Sequence, residues 1–288
     1  MIIPPQLAAS CQKTPERELW LEGLPQLLNS LLVRWSLHLE APFHHDGTCS
    51  WIAPVVRSDG SQAVLKLAMP HMEGKDEIPG LLYWNGRSMV KLLEGDDNSG
   101  AMLLERCVPG TTLRSQPEPK QDEIITRLLK RVWESTSDSI GLLGFRPLSW
   151  MIDFWCQETI AQMNLWPDAG LVNEGIRIMK GLARSAPTDV LLATDLHAGN
   201  VLRAEREPWL AIDPKPFVGD RAYDPVQHLL NCEGRLHRNP ADLVERIAGL
   251  AEVDPQRLRL WTFARAAADP RDDWTNTRWI DIAKALST

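Results

Sequence analysis

An α+β fold of two lobes, a small β-rich N-terminal lobe and a larger, mainly helical C-terminal lobe, follows from three features of this chain. Apolar residues recur in short β-like segments across residues 35–106, with one helical stretch among them. Beyond Pro109 the apolar spacing becomes helical. Between Val190 and Asp224 two short apolar runs, VLLA and WLAI, interrupt the helices and deliver polar side chains at their C-terminal ends. A chain of 288 residues can bury a full core spread over about two lobes.

The elements can be justified in order. Thr14-Pro15-Glu16 is a helix start, with a capping hydroxyl, proline at the first helical position and acid in the first turn, and the helix is predicted to run to about Arg34. The segments WSLHLEAPF, SWIAPVV and QAVLKLAM read as strands, the last two joined as a hairpin by Ser58-Asp59-Gly60-Ser61. A helix is expected around Met72 to Trp84, then a strand pair in MVKLLEG and AMLLER. Cys107 to Gly110 leaves the last strand, so the lobes are divided as 1–107, including the N-terminal helix, and 108–288. Helices are predicted over 121–139, 150–165 and 169–183, and later ones start at Asp224-Pro225, Asn239-Pro240 and Asp254-Pro255, each a cap residue followed by proline.

Composition narrows the function classes. Apolar residues make up 44% and charged residues 24%, which is ordinary for a globular enzyme. A formal charge of −7 argues against general nucleic-acid binding by counterion release and is compatible with a cationic small molecule. The odd set Cys11, Cys49, Cys107, Cys156 and Cys232, with no C-x-x-C, predicts reduced thiols and a cytoplasmic protein. The N-terminus lacks the pattern of a signal peptide, and no apolar run approaches the roughly 18 residues that cross a bilayer, so no membrane partner is expected. Most of the twelve tryptophans, Trp84, Trp133, Trp155 and Trp261 among them, sit at helical spacing among apolar residues and read as core.

The chemistry concentrates in VLLATDLHAGNVLRAEREPWLAIDPKPFVGDRAYD. Asp195 and Asn200 lie five apart after the first apolar run, and Asp213 ends the second. A carboxylate to accept a hydroxyl proton, with an amide oxygen and a second carboxylate to hold magnesium on phosphates, is what phosphoryl transfer needs. Lys66 closes the alternating A-V-L-K of the third strand. A lysine there requires partners, because an unpaired buried charge is costly.

D-L-H-x-G-N followed by I-D-P, together with VLK (64–66), LLER (103–106) and PGTTL (109–113) in that order, resembles the aminoglycoside phosphotransferases, in particular their streptomycin 6-kinase and hydroxyurea-kinase branch. The likeness covers roughly residues 45–230 and implies a protein-kinase-like fold using ATP and Mg2+. It further implies that Lys66 grips the α- and β-phosphates and pairs with Glu77, which precedes Trp84 in the family's E-x(6)-W pattern; Glu73, one turn away, is a rival. Ser50, with Gly47 and Thr48, would border the phosphates in the 44–50 loop. Adenine would be read by the Glu105 carbonyl and the Cys107 N–H. Asp195 would be the catalytic base, and Asn200 and Asp213 the magnesium ligands. His44, His45 and Cys49 alternatively suggest zinc, but no nearby cluster completes four ligands.

Other positions keep two readings. His197 either braces the loop or approaches phosphate or acceptor, and Lys215 either touches the γ-phosphate or lies on the surface. Asp224 is expected to cap a helix, and Asp220 to fix the catalytic loop. One departure stands out: the family's H-G before the catalytic aspartate is Ala193-Thr194 here.

The expected activity is transfer of the γ-phosphate of ATP to a hydroxyl of a small cationic acceptor, an aminocyclitol antibiotic of the streptomycin type. The alternatives are a kinase of hydroxyurea or of an endogenous metabolite, a catalytically degenerate nucleotide-binding module motivated by Ala193, and, last, a metal-dependent hydrolase. A monomer or weak dimer is expected. Acidic candidates for the acceptor pocket include Asp269, Asp272, Asp273 and Asp281.

Overall fold

A computed structural model of the chain describes residues 1–41, 43, 47–134, 144–271, 273 and 276–287. The chain divides into two compact units, Met1–Gly110 with Arg203–Ile212, and Thr111–Leu202 with Asp213–Thr288.

The first unit opens with helices α1 (Pro5–Cys11) and α2 (Pro15–Arg34). Thr14 caps α2 as its sequence predicts, its hydroxyl accepting from the Arg17 N–H. Leu24, Leu28 and Leu31 form the buried stripe of α2 at i, i+4 and i+7. They join Trp51, Leu65, Leu67 and Leu103 of the sheet in one core, to which α1 adds Leu7 and Cys11. Nothing in the sequence reading anticipated α1.

The sheet contains β1 (Leu37–Leu39), β2 (Ser50–Arg57), β3 (Gln62–Ala68), β4 (Leu92–Asp96) and β5 (Ala101–Glu105), all antiparallel, in the order β1-β2-β3-β5-β4. The 57–61 turn has Gly60 at φ +81°. The expected 72–84 helix is broken in two: a tight 3-10 turn, Glu73–Asp76, precedes α3 (Glu77–Trp84), which Asn85 ends in a left-handed conformation. Glu77 is therefore the first residue of the α-helix proper. The Arg203–Ile212 segment joins this unit through the Ala211 carbonyl, which accepts from the Val90 N–H at 3.0 Å.

The second unit is mainly helical. Its helices are α4 (Glu118–Glu134), α5 (Leu148–Ala161), α6 (Ala169–Leu182), α7 (Asp224–Asn231), α8 (Glu233–Arg238), α9 (Pro240–Ala251), α10 (Pro255–Ala268) and α11 (Arg278–Leu286). Short strands β6 (Asp189–Leu192), β7 (Val201–Arg203), β8 (Trp209–Ala211) and β9 (Phe217–Asp220) lie between α6 and α7 in sequence, β8 within the segment that belongs to the first unit, and β6 is antiparallel to β9. Asn239 and Asp254 cap α9 and α10 as their N-P and D-P pairs predict. Leu258, Trp261 and Phe263 of α10 are all buried, and α10 packs against α6 so closely that a Cβ at Gly175 would lie 2.9 Å from that of Ala267. Trp84, Trp133 and Trp261 are core, as expected, whereas Trp155 is only partly buried, with the Arg265 guanidinium 5.4 Å from its ring centroid. Among the described residues no helix is long and apolar enough to cross a membrane.

Candidate active site

Lys66 sits mid-strand on β3, opposite Ile52 of β2 and Met102 of β5. Its Nζ donates to Oε1 of Glu77 at 2.5 Å, and both side chains are buried, 5% and 1% exposed. Paired strand positions share a face and i+2 positions repeat it, so Ser50, opposite Ala68, lies on the Lys66 face one cross-strand pair away. Ser50 is buried. Of the two acids weighed for this role, Glu77 is the one whose bond to the strand lysine is seen. His44 and His45 of the alternative zinc reading lie outside the described residues.

Glu105 pairs with Ala63, three residues from Lys66, and so presents its side chain on the other sheet face. There it takes a bidentate pair from Arg206, Nε to Oε1 and Nη2 to Oε2, both 2.8 Å, and Oε2 also accepts from the Lys91 N–H. That leaves main-chain groups as what this segment can offer a base. The Cys107 thiol is pushed up to about 12 by burial, with the Glu105 carboxylate adding to it, so it is no thiolate nucleophile. Gly110 turns the chain at φ +75°, where a Cβ would stand 2.9 Å from the Cys107 carbonyl oxygen.

In the second unit the loop after β6 carries Asp195. Its preceding residues are tied down by Asp224 of α7: Oδ1 accepts from the Thr194 N–H at 2.7 Å and Oδ2 from the Ala193 N–H at 3.1 Å and from Trp133 Nε1 at 2.8 Å. Burial raises the Asp224 carboxyl to about 6, against the lowering by these three donors. Asp224, expected as a cap, is thus the residue that fixes the loop. Asp220, expected to do so, spends Oδ2 on Arg257 and on Trp261 Nε1 of α10. Asp220 ends β9, and a carboxylate there reaches α10, not the loop.

Asn200 donates from Nδ2 to the Asp195 main-chain carbonyl at 3.0 Å and to its Oδ2 at 3.3 Å. His197 accepts the Gly199 N–H on Nδ1, which puts its own proton on Nε2. Burial, then the Arg114 charge, lowers this imidazole to about 4, so it is neutral near pH 7 and its 3.9 Å approach to Asp195 is no ion pair. The bracing reading of His197 fits this geometry. Asp213 stands at φ +55° with its side chain one-third exposed, and Lys215 Nζ donates to its Oδ1 at 2.7 Å. Lys215 is buried, so its surface reading is overturned. The donor set suits a hard divalent cation: Asn200 directs its Nδ2 at Asp195, turning its amide oxygen the other way, and Asp213 adds a partly exposed carboxylate.

The sequence reading missed Gln227, whose Nε2 donates to Asp195 Oδ1 at 2.8 Å. Its signal was the i, i+3 spacing from Asp224, which places both on one face of α7. A group of metal-ligand type, Asp122 with His228 and Cys232, also lies in this unit. Arg235 and Arg246 both donate to Asp122, so the carboxylate is already neutralised by cations and the cluster is an ion-pair network. Of the acceptor-pocket candidates, Asp269 accepts from Arg265 Nε, Asp281 and Asp273 are exposed, and Asp272 lies outside the described residues.

Comparison with known proteins bears on the family and the fold. Residues 34–271 match the aminoglycoside/hydroxyurea antibiotic resistance kinases. The chain is 36% identical over 276 residues to a streptomycin 6-kinase of Streptomyces glaucescens, covering 91% of this chain and 88% of that one. It is 35% identical over 249 residues to a hydroxyurea phosphotransferase of Kitasatospora aureofaciens, covering 85% and 72%. Among solved structures, a choline kinase from Streptococcus pneumoniae superposes with TM-score 0.64 at 15% identity, covering 92% of this chain and 99% of the other. A spectinomycin phosphotransferase, solved with ADP and spectinomycin, gives TM-score 0.53 at 14% identity, covering 92% and 94%. The fold is protein-kinase-like, with an antiparallel β-rich N-terminal lobe and a helical C-terminal lobe.

Proposed function

The chain belongs to the aminoglycoside/hydroxyurea antibiotic resistance kinase family, and from that membership we propose that it transfers the γ-phosphate of ATP to a hydroxyl of a cationic aminocyclitol of the streptomycin type, protecting the cell that makes it. The observation that carries the chemistry is the setting of Asp195. Its loop is clamped by Asp224, and its carboxylate is held by Asn200 and Gln227. Such a carboxylate can orient an acceptor hydroxyl and take its proton as the P–O bond forms; a loose phosphoryl-transfer transition state needs that orientation more than a shifted pKa. The 36% identity to a streptomycin 6-kinase favours this acceptor.

The remaining roles follow the same reading. Lys66, fixed by Glu77, grips the α- and β-phosphates, Ser50 borders them, and the Glu105 carbonyl and Cys107 N–H read adenine. Asn200 and Asp213 hold Mg2+, which neutralises phosphate charge when bound. We assign nucleotide binding to residues 1–107 and catalysis with acceptor binding to 108–288; the Arg203–Ile212 segment packs with the first unit. Hydroxyurea is the second acceptor, supported by the 35% identity to a hydroxyurea phosphotransferase. A cytoplasmic protein, monomeric or weakly dimeric, completes the proposal.

ADP release measured over streptomycin, other aminocyclitols, hydroxyurea and metabolite alcohols tests the activity. Streptomycin is expected to raise the rate above the water background, and Asp195→Ala to lower it by at least about a hundredfold. Turnover of another acceptor but not of streptomycin overturns the acceptor. ATP binding without any acceptor-dependent release overturns the enzyme in favour of a binding module.

A further inference from the structure

Asp195 is touched from α7 by a side chain that carries no charge and sits far from it in sequence. Gln227 Nε2 donates to Asp195 Oδ1 at 2.8 Å, from a position 32 residues on. The same amide accepts on Oε1 from Arg265 Nη2 of α10 at 3.0 Å. A guanidinium only donates, so Arg265 must face the amide oxygen, and the amide nitrogen is thereby turned toward the carboxylate. Arg265 is itself fixed on three sides: Nε donates to Asp269 Oδ2 at 2.7 Å, and its guanidinium carbon lies 5.1 Å and 5.4 Å from the ring centroids of Tyr223 and Trp155. Its side chain is only 6% exposed.

We infer that Gln227 is a positioning residue for Asp195, with Arg265 setting which end of its amide faces the carboxylate. The inference deepens the proposed phosphoryl transfer and rests on Asp195 being its base. Asp224 and Gln227 then act from one face of α7 on neighbouring parts of one loop, the first on the main chain before Asp195 and the second on its carboxylate. The bond to Oδ1 restrains the rotation of the carboxylate about its last torsion and so bears on where Oδ2 stands for an incoming hydroxyl. Asn200 makes the longer contact, 3.3 Å, to the other oxygen, Oδ2. Neutral His197, 3.9 Å from Oδ1, is beyond hydrogen-bonding reach. Misplacement of a reacting group by an ångström costs on the order of a hundredfold in rate, so loss of this bond is visible kinetically.

The test is a double-mutant cycle of Gln227→Leu with Asp195→Ala, read as ADP release with streptomycin, with hydroxyurea and with water alone as acceptor. Gln227→Leu is expected to lower kcat about tenfold or more while KM for MgATP stays within about twofold. In the Asp195→Ala background it is expected to do nothing further, because the residue it positions is gone. Arg265→Lys, which removes the fork that orients the amide, should lower kcat in the parent and not in Gln227→Leu. An equal loss from Gln227→Leu in both backgrounds overturns the inference in favour of a role in folding alone. So does parent-like kcat in Gln227→Leu while Asp195→Ala is inactive. Near-normal turnover in Asp195→Ala instead sinks the base assignment on which the inference rests.

Discussion

The Thr194 hydroxyl donates to the main-chain carbonyl of Lys215 at 2.6 Å, tying the loop that carries Asp195 to the one that carries Asp213. Thr194 does so from a left-handed backbone, φ +50°, which a β-branched residue seldom adopts. A glycine at this position would take such a conformation without penalty. Here the strain is offset by the hydroxyl bond and by the Thr194 N–H bond to Asp224.

Thr194→Ala keeps much of the backbone strain and leaves the Lys215 carbonyl without this donor. It is expected to lower stability by about 1–3 kcal/mol in urea unfolding. Thr194→Gly loses the same bond but relieves the strain, and should be less damaging than alanine by about 1 kcal/mol. Thr194→Ser, which keeps the donor, should stay close to the parent. An alanine variant as stable as the parent would sink this account of the position.

Lys66 and Glu77 form a buried ion pair at 2.5 Å, and such pairs are costly to break one partner at a time. Glu77→Ala is expected to destabilise the protein by about 3–5 kcal/mol and to weaken nucleotide binding. The double variant Lys66→Met/Glu77→Leu removes both charges and should recover most of the stability but not the affinity for ATP. Recovery of both, measured by thermal melts and calorimetry, would deny the pair a role in nucleotide binding.

What was legible in the sequence was local. The Thr14, Asn239 and Asp254 caps, the 57–61 turn and the strand lysine are written within a few residues of themselves. The exchange of roles between Asp220 and Asp224 was not legible, because the one ends β9, the other opens α7 just beyond it, and only distant partners separate them. Asp220 is claimed by Arg257 and Trp261, 37 and 41 residues on, and Asp224 by Trp133, 91 residues back. Lys215 was ambiguous for the same reason, since burial beside Asp213 is a property of packing. The Asp122 network draws on residues more than a hundred positions apart, and no short pattern could announce it.

Asp213→Asn removes an anionic oxygen from the proposed magnesium site and an ion-pair partner from buried Lys215. ATP binding should lose most of its magnesium dependence in calorimetry. Equal magnesium dependence in variant and parent would refute Asp213 as a ligand.

The Asp122–His228 pair gives a prediction for stability against pH. Burial by itself would lower the His228 imidazole, but the hydrogen bond to Asp122 at 2.9 Å, with Cys232 nearby, raises it to about 9. Burial would likewise raise the Asp122 carboxyl, yet the bonds from His228, Arg235 and Arg246 hold it well below the usual carboxylate range. A histidine whose folded pKa exceeds its unfolded value of about 6.5 binds its proton more tightly in the native state. Its contribution is therefore complete below about pH 6.5 and is lost as pH rises through about 9, where the native state holds more protons than the unfolded one. Melting temperatures from pH 6 to pH 10 should fall for the parent across that window, and His228→Gln should flatten the fall while being less stable at pH 6. A variant that melts with the parent's slope between pH 7 and pH 9 would show that His228 is not charged in the folded protein.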